Sequence, residues 1–449
     1  MLKVNPSIFR AYDIRGIYPS DLSPQLFQYL GFVLGEKNKS FLVGHDIRKS
    51  GKKLALALIS GLTTKGAKVY FSGKTSFGLT FFSGWKLKVF KTLFVTASHL
   101  PPEWNGLKIN FGDGEPISSK EIQEIKNKVM ALASKKINFK KPKFVRVNFK
   151  KDYFLALKEK FPLLENNNLK VVLDCGNQSM SLVAPQIFEG FGFNVIKLFC
   201  EPDPSSPHRP PEPTFEATKK LRETVLKERA DFGVAFDGDG DRAAIIDDKG
   251  NYLSGNQLGL ILGKHLLPLS PNKRVVKTVA CTMAIDEEFK KLKAKIFEVP
   301  VGHTFVISTC KKKNCVLGIE ESSHIVMPQY FLFDDAILIP LKVAEILLER
   351  KKKLSQLLKE TKLYPFETKV LPFADEEKFE IMENLKNFLK KKYRKVSTLD
   401  GIKVYSKEGW VLIRPSNTEP KIRLYFEAKT QKALKKLEKT FLGYLKKFS

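Results

Sequence analysis

Cysteine is scarce in this chain. Five stand among 449 residues (Cys175, Cys200, Cys281, Cys310 and Cys315), an odd number mostly flanked by apolar neighbours. That argues against a disulfide scaffold and reads as the reduced thiols of a cytosolic protein. Cys310 and Cys315 are close, but no further cysteine or histidine completes a zinc spacing. Long apolar runs are missing too. The most apolar stretch, Ala336 to Leu348, is interrupted by Lys342 and is too short to span a bilayer. The opening Met-Leu-Lys-Val-Asn-Pro-Ser has no apolar signal region, so the expectation is a soluble, cytoplasmic protein without a membrane partner. Acidic residues are the third shortage: 48 Asp+Glu face 77 Lys+Arg, a formal charge of +29. Nucleic-acid binding would gather that charge on one element beside base-reading or stacking motifs. Here the lysines are scattered, with short runs such as Lys351-Lys352-Lys353 and Lys390-Lys391-Lys392 on helix-like stretches. A lysine-rich, thermophile-like surface accounts for them, with attraction for anionic substrates as a by-product. No nucleic-acid partner is expected, and the oligomeric state is not read from the sequence.

What is present is most distinctive at 236–242, Phe-Asp-Gly-Asp-Gly-Asp-Arg. Asp237, Asp239 and Asp241 converge on one cation only if the backbone curls tightly, which Gly238 and Gly240 allow. Ligation by oxygen alone points to Mg²⁺, Mn²⁺ or Ca²⁺ rather than zinc. An EF-hand also begins Asp-x-Asp-x-Asp, but its required glycine is Arg242 here, and Ala243 and Ile245 fill two further ligand positions. The flanks, Phe-Gly-Val-Ala-Phe and Ala-Ala-Ile-Ile, are strand-like. The acidic loop therefore lies at the end of a buried strand.

Length suggests roughly three or four domains. Short apolar strands alternate with amphipathic helices to about residue 350. Strands are expected at 41–44, 92–96, 170–174, 232–236, 275–279 and 316–319, each running into a polar loop where an open α/β sheet binds its ligand. Ser23-Pro24 starts one helix, and Ser118 with Glu121 forms a capping box at another. Lys-Pro-Lys at 141–143 marks a boundary, and Glu201–Pro213 is a long irregular loop. After about 364 a helix, a hairpin at 402–414 and a helix follow. The expected fold is three similar mixed-sheet α/β domains (1–148, 149–252 and 253–364) around a central cleft, closed by a smaller C-terminal α+β domain (365–449).

Four further clusters stand beside the acidic loop. They are Thr-Ala-Ser98-His99 leading to Lys108, Glu320-Glu321-Ser322-Ser323-His324, Arg414-Pro-Ser416-Asn417-Thr418 with Arg423, and Arg10-Ala-Tyr12-Asp13-Ile-Arg15. Together they resemble the α-D-phosphohexomutase superfamily, most closely its bacterial phosphomannomutase/phosphoglucomutase branch, over essentially the whole chain. The resemblance implies a phosphorylated serine at Ser98, with Mg²⁺ bridging it to Asp237, Asp239 and Asp241. It implies sugar recognition by Glu320, Ser322 and His324, and a grip on the non-reacting phosphate by Arg414, Ser416, Asn417, Thr418 and Arg423. A hexose 1,6-bisphosphate is the implied intermediate and activator, and a phosphorylated hexose the partner. A glucosamine phosphate is the alternative substrate within the family. A basic protein that binds sugar phosphate or nucleic acid without turnover is the non-enzymatic alternative.

Charge supports these roles. Three carboxylates and a phosphate dianion total about −5, and Mg²⁺ returns two. Arg242, Lys108 and Arg15 are the candidates to balance the rest. Lys108 and His324 are the candidate proton-transfer groups. Tyr12 is read as structural or as a ligand contact, and His303 as a core histidine or a phosphate contact. His45 and Arg48 are expected to buttress the first domain, and Asp174 and Asn177 to cap a helix. Leu100, Ser323 and Asn256 replace residues usual in the family and bear on substrate preference.

Overall fold

A computed structural model describes residues 2–416 and 421–448. The N-terminal sheet has six strands, ordered Ile14–Ile17, Trp104–Phe111, Lys91–Val95, Ser40–His45, Lys68–Lys74 and Val145–Arg146. The strands Ser40–His45, Lys68–Lys74 and Lys91–Val95 run parallel, while Trp104–Phe111 is antiparallel to its neighbours. The second sheet has five strands in the order Tyr252–Leu253, Ala243–Asp247, Phe232–Phe236, Lys170–Asp174 and Asn194–Leu198. The third has four: Lys295–Val299, Arg274–Thr278, Leu317–Ile319 and Ile325–Val326. Mixed sheets recur in all three, as expected.

All six strands anticipated from sequence are present, displaced by no more than one residue at either end. Helix starts follow their chemistry. Ser23 Oγ accepts the Leu26 N–H ahead of Pro24, and the Ser118–Glu121 capping box closes in both directions. Each such cap is worth about 1 kcal/mol. Helix Phe77–Lys86 buries Phe77, Phe81 and Phe82 in the core that fills the second and third domains, which ties the first domain to them.

The C-terminal domain differs from the helix–hairpin–helix expectation. Its sheet has five antiparallel strands, with Lys421–Ala428 paired between Gly409–Pro415 and Phe366–Pro372. Helices Asp375–Lys392 and Gln431–Leu445 complete it. Glu427, fully buried, docks this domain on the third by accepting the Met283 N–H at 2.7 Å and the Thr282 hydroxyl. Among the described residues no helix is long and apolar enough to cross a membrane.

Candidate functional site

The acidic loop is the tip of a hairpin, since Phe236 pairs with Ala243 on either side of it. Asp237 organises the tip: its Oδ1 accepts the N–H groups of Gly240, Asp241 and Arg242 at 3.0, 3.1 and 3.2 Å. Gly240 adopts φ +82°, and a Cβ on it would sit 2.2 Å from Met180 Sδ. Gly238 has a different reason, because a Cβ there would meet the Ser98 carbonyl oxygen at 2.2 Å. The glycines thus let the acidic loop touch the serine loop as well as curl.

The three carboxylates lie within 4.8 Å of one another and are buried. Asp239 Oδ1 and Asp241 Oδ1 have no hydrogen-bond partner. Lys108 Nζ bonds the other oxygen of each, Asp239 Oδ2 at 2.8 Å and Asp241 Oδ2. Burial, then repulsion from Asp241 and Asp239, pushes Asp237 up to about 8. Burial opposes the charge on Asp241 also, but Lys108, His324 and Arg242 outweigh it and hold that carboxyl well below the usual range. Burial disfavours the Lys108 ammonium, yet Asp239 and Asp241 hold it charged far above the ordinary lysine value. Oxygen-only donors with two unpartnered atoms fit a hard divalent cation.

Ser98 meets this cluster directly: its Oγ donates to Asp237 Oδ2 at 3.0 Å. The residue sits at φ +53°, a left-handed conformation that costs a non-glycine residue about 1–2 kcal/mol. Arg48 holds the loop in place. Pinned by Asp46 at 3.0 Å, its guanidinium donates to the carbonyls of Ser98, Leu100, Pro101 and Trp104 at 2.5–2.9 Å. Its buttressing role is therefore centred on the serine. Leu100 serves this fan through its backbone, which any residue supplies. His99 Nδ1 lies 3.4 Å from Ser98 Oγ, and burial followed by the charges of Arg242 and Arg15 keeps the imidazole neutral.

Across a cleft of about 160 Å³ stand the other predicted groups. Glu320 Oε2 accepts the Gly302 N–H at 2.8 Å, and Ser322 Oγ donates to Glu320 Oε1 at 2.5 Å. His303 and His324 stack with centroids 4.9 Å apart, both Nδ1 atoms turned to Asp334 Oδ2 at 2.8 and 3.2 Å. His303 is thus both a partnered histidine and a cleft residue. Arg15 pairs with Asp13 at 2.6 Å and reaches the Ala97 carbonyl, while Tyr12 donates to the Val301 carbonyl at 3.2 Å. Arg242 faces Asp237 and Glu212, each at 3.4 Å. From the C-terminal domain come Arg414, held by Asp400 at 2.8 Å, with Ser416 and Arg423. Asn417 and Thr418 lie outside the described residues. A larger surface hollow of about 790 Å³ beside Trp85 and Leu155 collects none of these groups.

Sequence reasoning missed Asp334, whose only signal is an acidic pair inside the apolar run Phe331–Ile337. Glu321, named in its cluster but given no role from sequence, also lines the cleft, pushed up to about 7 by burial and then by Glu320. Asp174 and Asn177 do not cap a helix. Asp174 accepts Arg209 Nε at 2.9 Å, and Arg209 reaches the Phe236 carbonyl at 2.7 Å, bracing the acidic hairpin. Asn177 binds the Glu201 carbonyl and His208 instead, because the Pro-rich loop folds back over it. Ser323 sits at φ +69°, a conformation natural to glycine.

Four domain signatures match in order: Phosphoglucomutase/phosphomannomutase alpha/beta/alpha domain I over 6–136, domain II over 151–250, domain III over 254–364, and the C-terminal domain over 370–443. The chain belongs to the phosphoglucomutase/phosphomannomutase family. As a member of that family it is a phosphohexomutase, an enzyme that moves a phosphoryl group within hexose phosphates. It is 33% identical to a probable phosphoglucosamine mutase of Methanosarcina acetivorans, over 94% of this chain and 95% of that protein. It is 30% identical to the phosphomannomutase/phosphoglucomutase of Pseudomonas syringae pv. tomato, over 98% of this chain and 95% of that one. The crystal structure of a phosphoglucomutase/phosphomannomutase family protein from Burkholderia thailandensis superposes with TM-score 0.90 at 24% identity, over 99% of this chain and 98% of that chain, which speaks for the fold.

Proposed function

We propose that this phosphohexomutase interconverts the 1- and 6-phosphates of mannose and glucose, carrying the phosphoryl group on Ser98. The four domains, taken as 1–148, 149–252, 253–364 and 365–449, each supply residues to the cleft. The observation that carries the reading is Ser98 Oγ at 3.0 Å from Asp237 in a buried carboxylate cluster, facing Glu320, Ser322 and His324. Asp237, Asp239 and Asp241 would hold a divalent cation, read as Mg²⁺, which when bound would supply charge neutralisation for phosphoryl transfer at Ser98.

The chain's own groups do the rest. Arg414, Ser416 and Arg423 grip the substrate's resident phosphate, with Asn417 and Thr418 assigned to the same loop by sequence. Glu320 and Ser322 accept and donate to neighbouring sugar hydroxyls. Phospho-Ser98 passes its phosphoryl group to the free hydroxyl of the hexose phosphate, giving a 1,6-bisphosphate. The P–Oγ bond breaks as the new P–O bond forms, and the proton lost by the hydroxyl balances the one gained by Ser98 Oγ. That intermediate turns over in the cleft and returns its other phosphate to Ser98, so an added hexose 1,6-bisphosphate primes the unphosphorylated enzyme. Burial disfavours the His324 imidazolium, but Asp334 and Asp241 outweigh it and hold the ring charged to about pH 9. His324 is therefore the proton donor at neutral pH, with Lys108, Arg15 and Arg242 as fixed positive charge.

Glucosamine phosphate is the second reading, favoured by the name of the M. acetivorans relative. A ³¹P NMR time course on equal mannose, glucose and glucosamine 1-phosphates, with Mg²⁺ and a trace of glucose 1,6-bisphosphate, separates the two. Growth of both neutral 6-phosphates supports the main reading, and conversion of the amino sugar alone overturns it. Ser98→Ala is expected to abolish turnover and ³²P incorporation from labelled bisphosphate; near wild-type turnover would sink the mechanism.

A further inference from the structure

A second polar cavity, of about 290 Å³, lies between the end of strand Lys68–Lys74, the start of helix Phe77–Lys86 and the segment 145–150 that crosses to the second domain. Its lining shares no residue with the reaction cleft. Its lining includes three cationic residues, Lys74, Arg146 and Lys150, together with Ser72, Thr75 and Asn148, and no carboxylate. Lys150 Nζ donates to the Leu182 carbonyl at 3.0 Å, and Arg146 stands over the Phe71 ring at 5.9 Å, so neither charge is neutralised by those contacts. All three are exposed, so solvent screens their mutual repulsion, and an anion seated among them would be attracted by each.

The hydroxyls give an independent indication. Ser72 Oγ donates to the Val43 carbonyl at 3.3 Å, and Asn148 Oδ1 accepts the Lys150 N–H at 3.1 Å. Thr75 is 3% exposed, and its Oγ1 is the one fully buried side-chain polar atom of the lining without a hydrogen-bond partner. A buried hydroxyl is normally satisfied, and this unmet one lies within the wall of the hollow. Helix Lys150–Lys160 also begins here, its N-cap residue Phe149 supplying no side-chain cap, and brings the positive end of its dipole.

We propose that this cavity binds a small phosphate-bearing anion, either free orthophosphate or the phosphate group of a small metabolite. Its volume suits a phosphate with a modest appendage. The location gives the occupant a structural consequence. Segment 145–146 pairs with strand Lys68–Lys74 at Tyr70 and Phe71, so an anion shared by Lys74, Arg146 and Lys150 fastens the crossing to the first sheet. Two residues beyond Thr75, the Phe77 N–H donates to the Asp239 carbonyl at 2.8 Å, which joins the cavity wall to the acidic loop. The inference does not depend on which hexose the enzyme prefers.

Equilibrium dialysis with ³²P-labelled orthophosphate tests it on the full chain. The wild type is expected to show two classes of site. Arg414→Ala/Arg423→Ala should remove the cleft class, and Lys74→Ala/Arg146→Ala should remove the other, weakening it about tenfold or more per cation lost. Thr75→Val should weaken that second class several-fold without changing charge, and Thr75→Ser should keep it. Lys390→Ala/Lys391→Ala serves as the charge-matched control. Unchanged stoichiometry in Lys74→Ala/Arg146→Ala overturns the proposal, as does an equal loss in the control. Retention of the second class by Lys74→Arg/Arg146→Lys supports it, and shows that the alanine variant failed through charge rather than folding.

Discussion

Replacing Asp334 by asparagine tests whether one buried carboxylate sets the charge of His324. Asp334 is fully buried and accepts from both His303 and His324 through one oxygen. Burial alone would drive the His324 imidazole below its ordinary 6.5, yet Asp334, helped by Asp241, lifts it to about 9. At 1.36 kcal/mol per pH unit, that lift is about 3 kcal/mol of preference for the imidazolium. The same pairing depresses Asp334 to about 2 against its own burial, and the energy is counted once. Because the folded value of His324 is the higher one, its stabilisation is complete below about pH 6.5 and disappears as pH rises through about 9. Asp334→Asn should therefore destabilise the protein by about 3 kcal/mol near pH 6 and by far less near pH 10. Histidine-selective NMR titration should find His324 at or below its ordinary value in the variant, and urea unfolding at the two pH values should give the shrinking difference. A His324 that still titrates near 9, or a destabilisation equal at both pH values, would refute the reasoning.

Further outcomes follow from the same contacts. Arg48→Ala leaves four carbonyls of the serine loop without their common donor, so kcat should fall about a hundredfold through misplacement of Ser98. The dissociation constant for hexose 1-phosphate should barely change; Arg48→Lys should not restore kcat, since a single ammonium cannot span the fan. Chelation with EDTA should silence turnover and added Mg²⁺ restore it, while Asp239→Asn should need roughly tenfold more Mg²⁺ for half activity, read from a metal titration. Gly78→Ala places a Cβ 2.5 Å from the Asp335 carboxylate, to which the Tyr153 hydroxyl also donates, and should lower stability by about 1–3 kcal/mol in thermal melts. An unchanged melting temperature would mean that this junction gives way easily.

Legibility in the sequence followed distance along the chain. Phe232–Phe236 and its neighbours were readable because apolar β-forming residues bounded by turns are local facts, and the hairpin tip at 237–242 because three carboxylates and two glycines fall in five consecutive residues. The strand Lys421–Ala428 was not, since it is completed by Phe366–Pro372 and its first residues read as part of a phosphate loop. Arg48 reads as an ordinary buried arginine until the fold brings the Ser98 loop to it, fifty residues on. Asp334 reads as one acid in an apolar run until His303 and His324 turn to it. Sequence by itself determined the chemical inventory, the strand and helix pattern and the family. Only the tertiary structure decided which charges meet, and so which histidine is charged, which arginine steadies the nucleophile and where a second anion would sit. The reason is physical: pattern and propensity act over a few residues, whereas burial and Coulomb interactions depend on neighbours that the chain brings together from far apart.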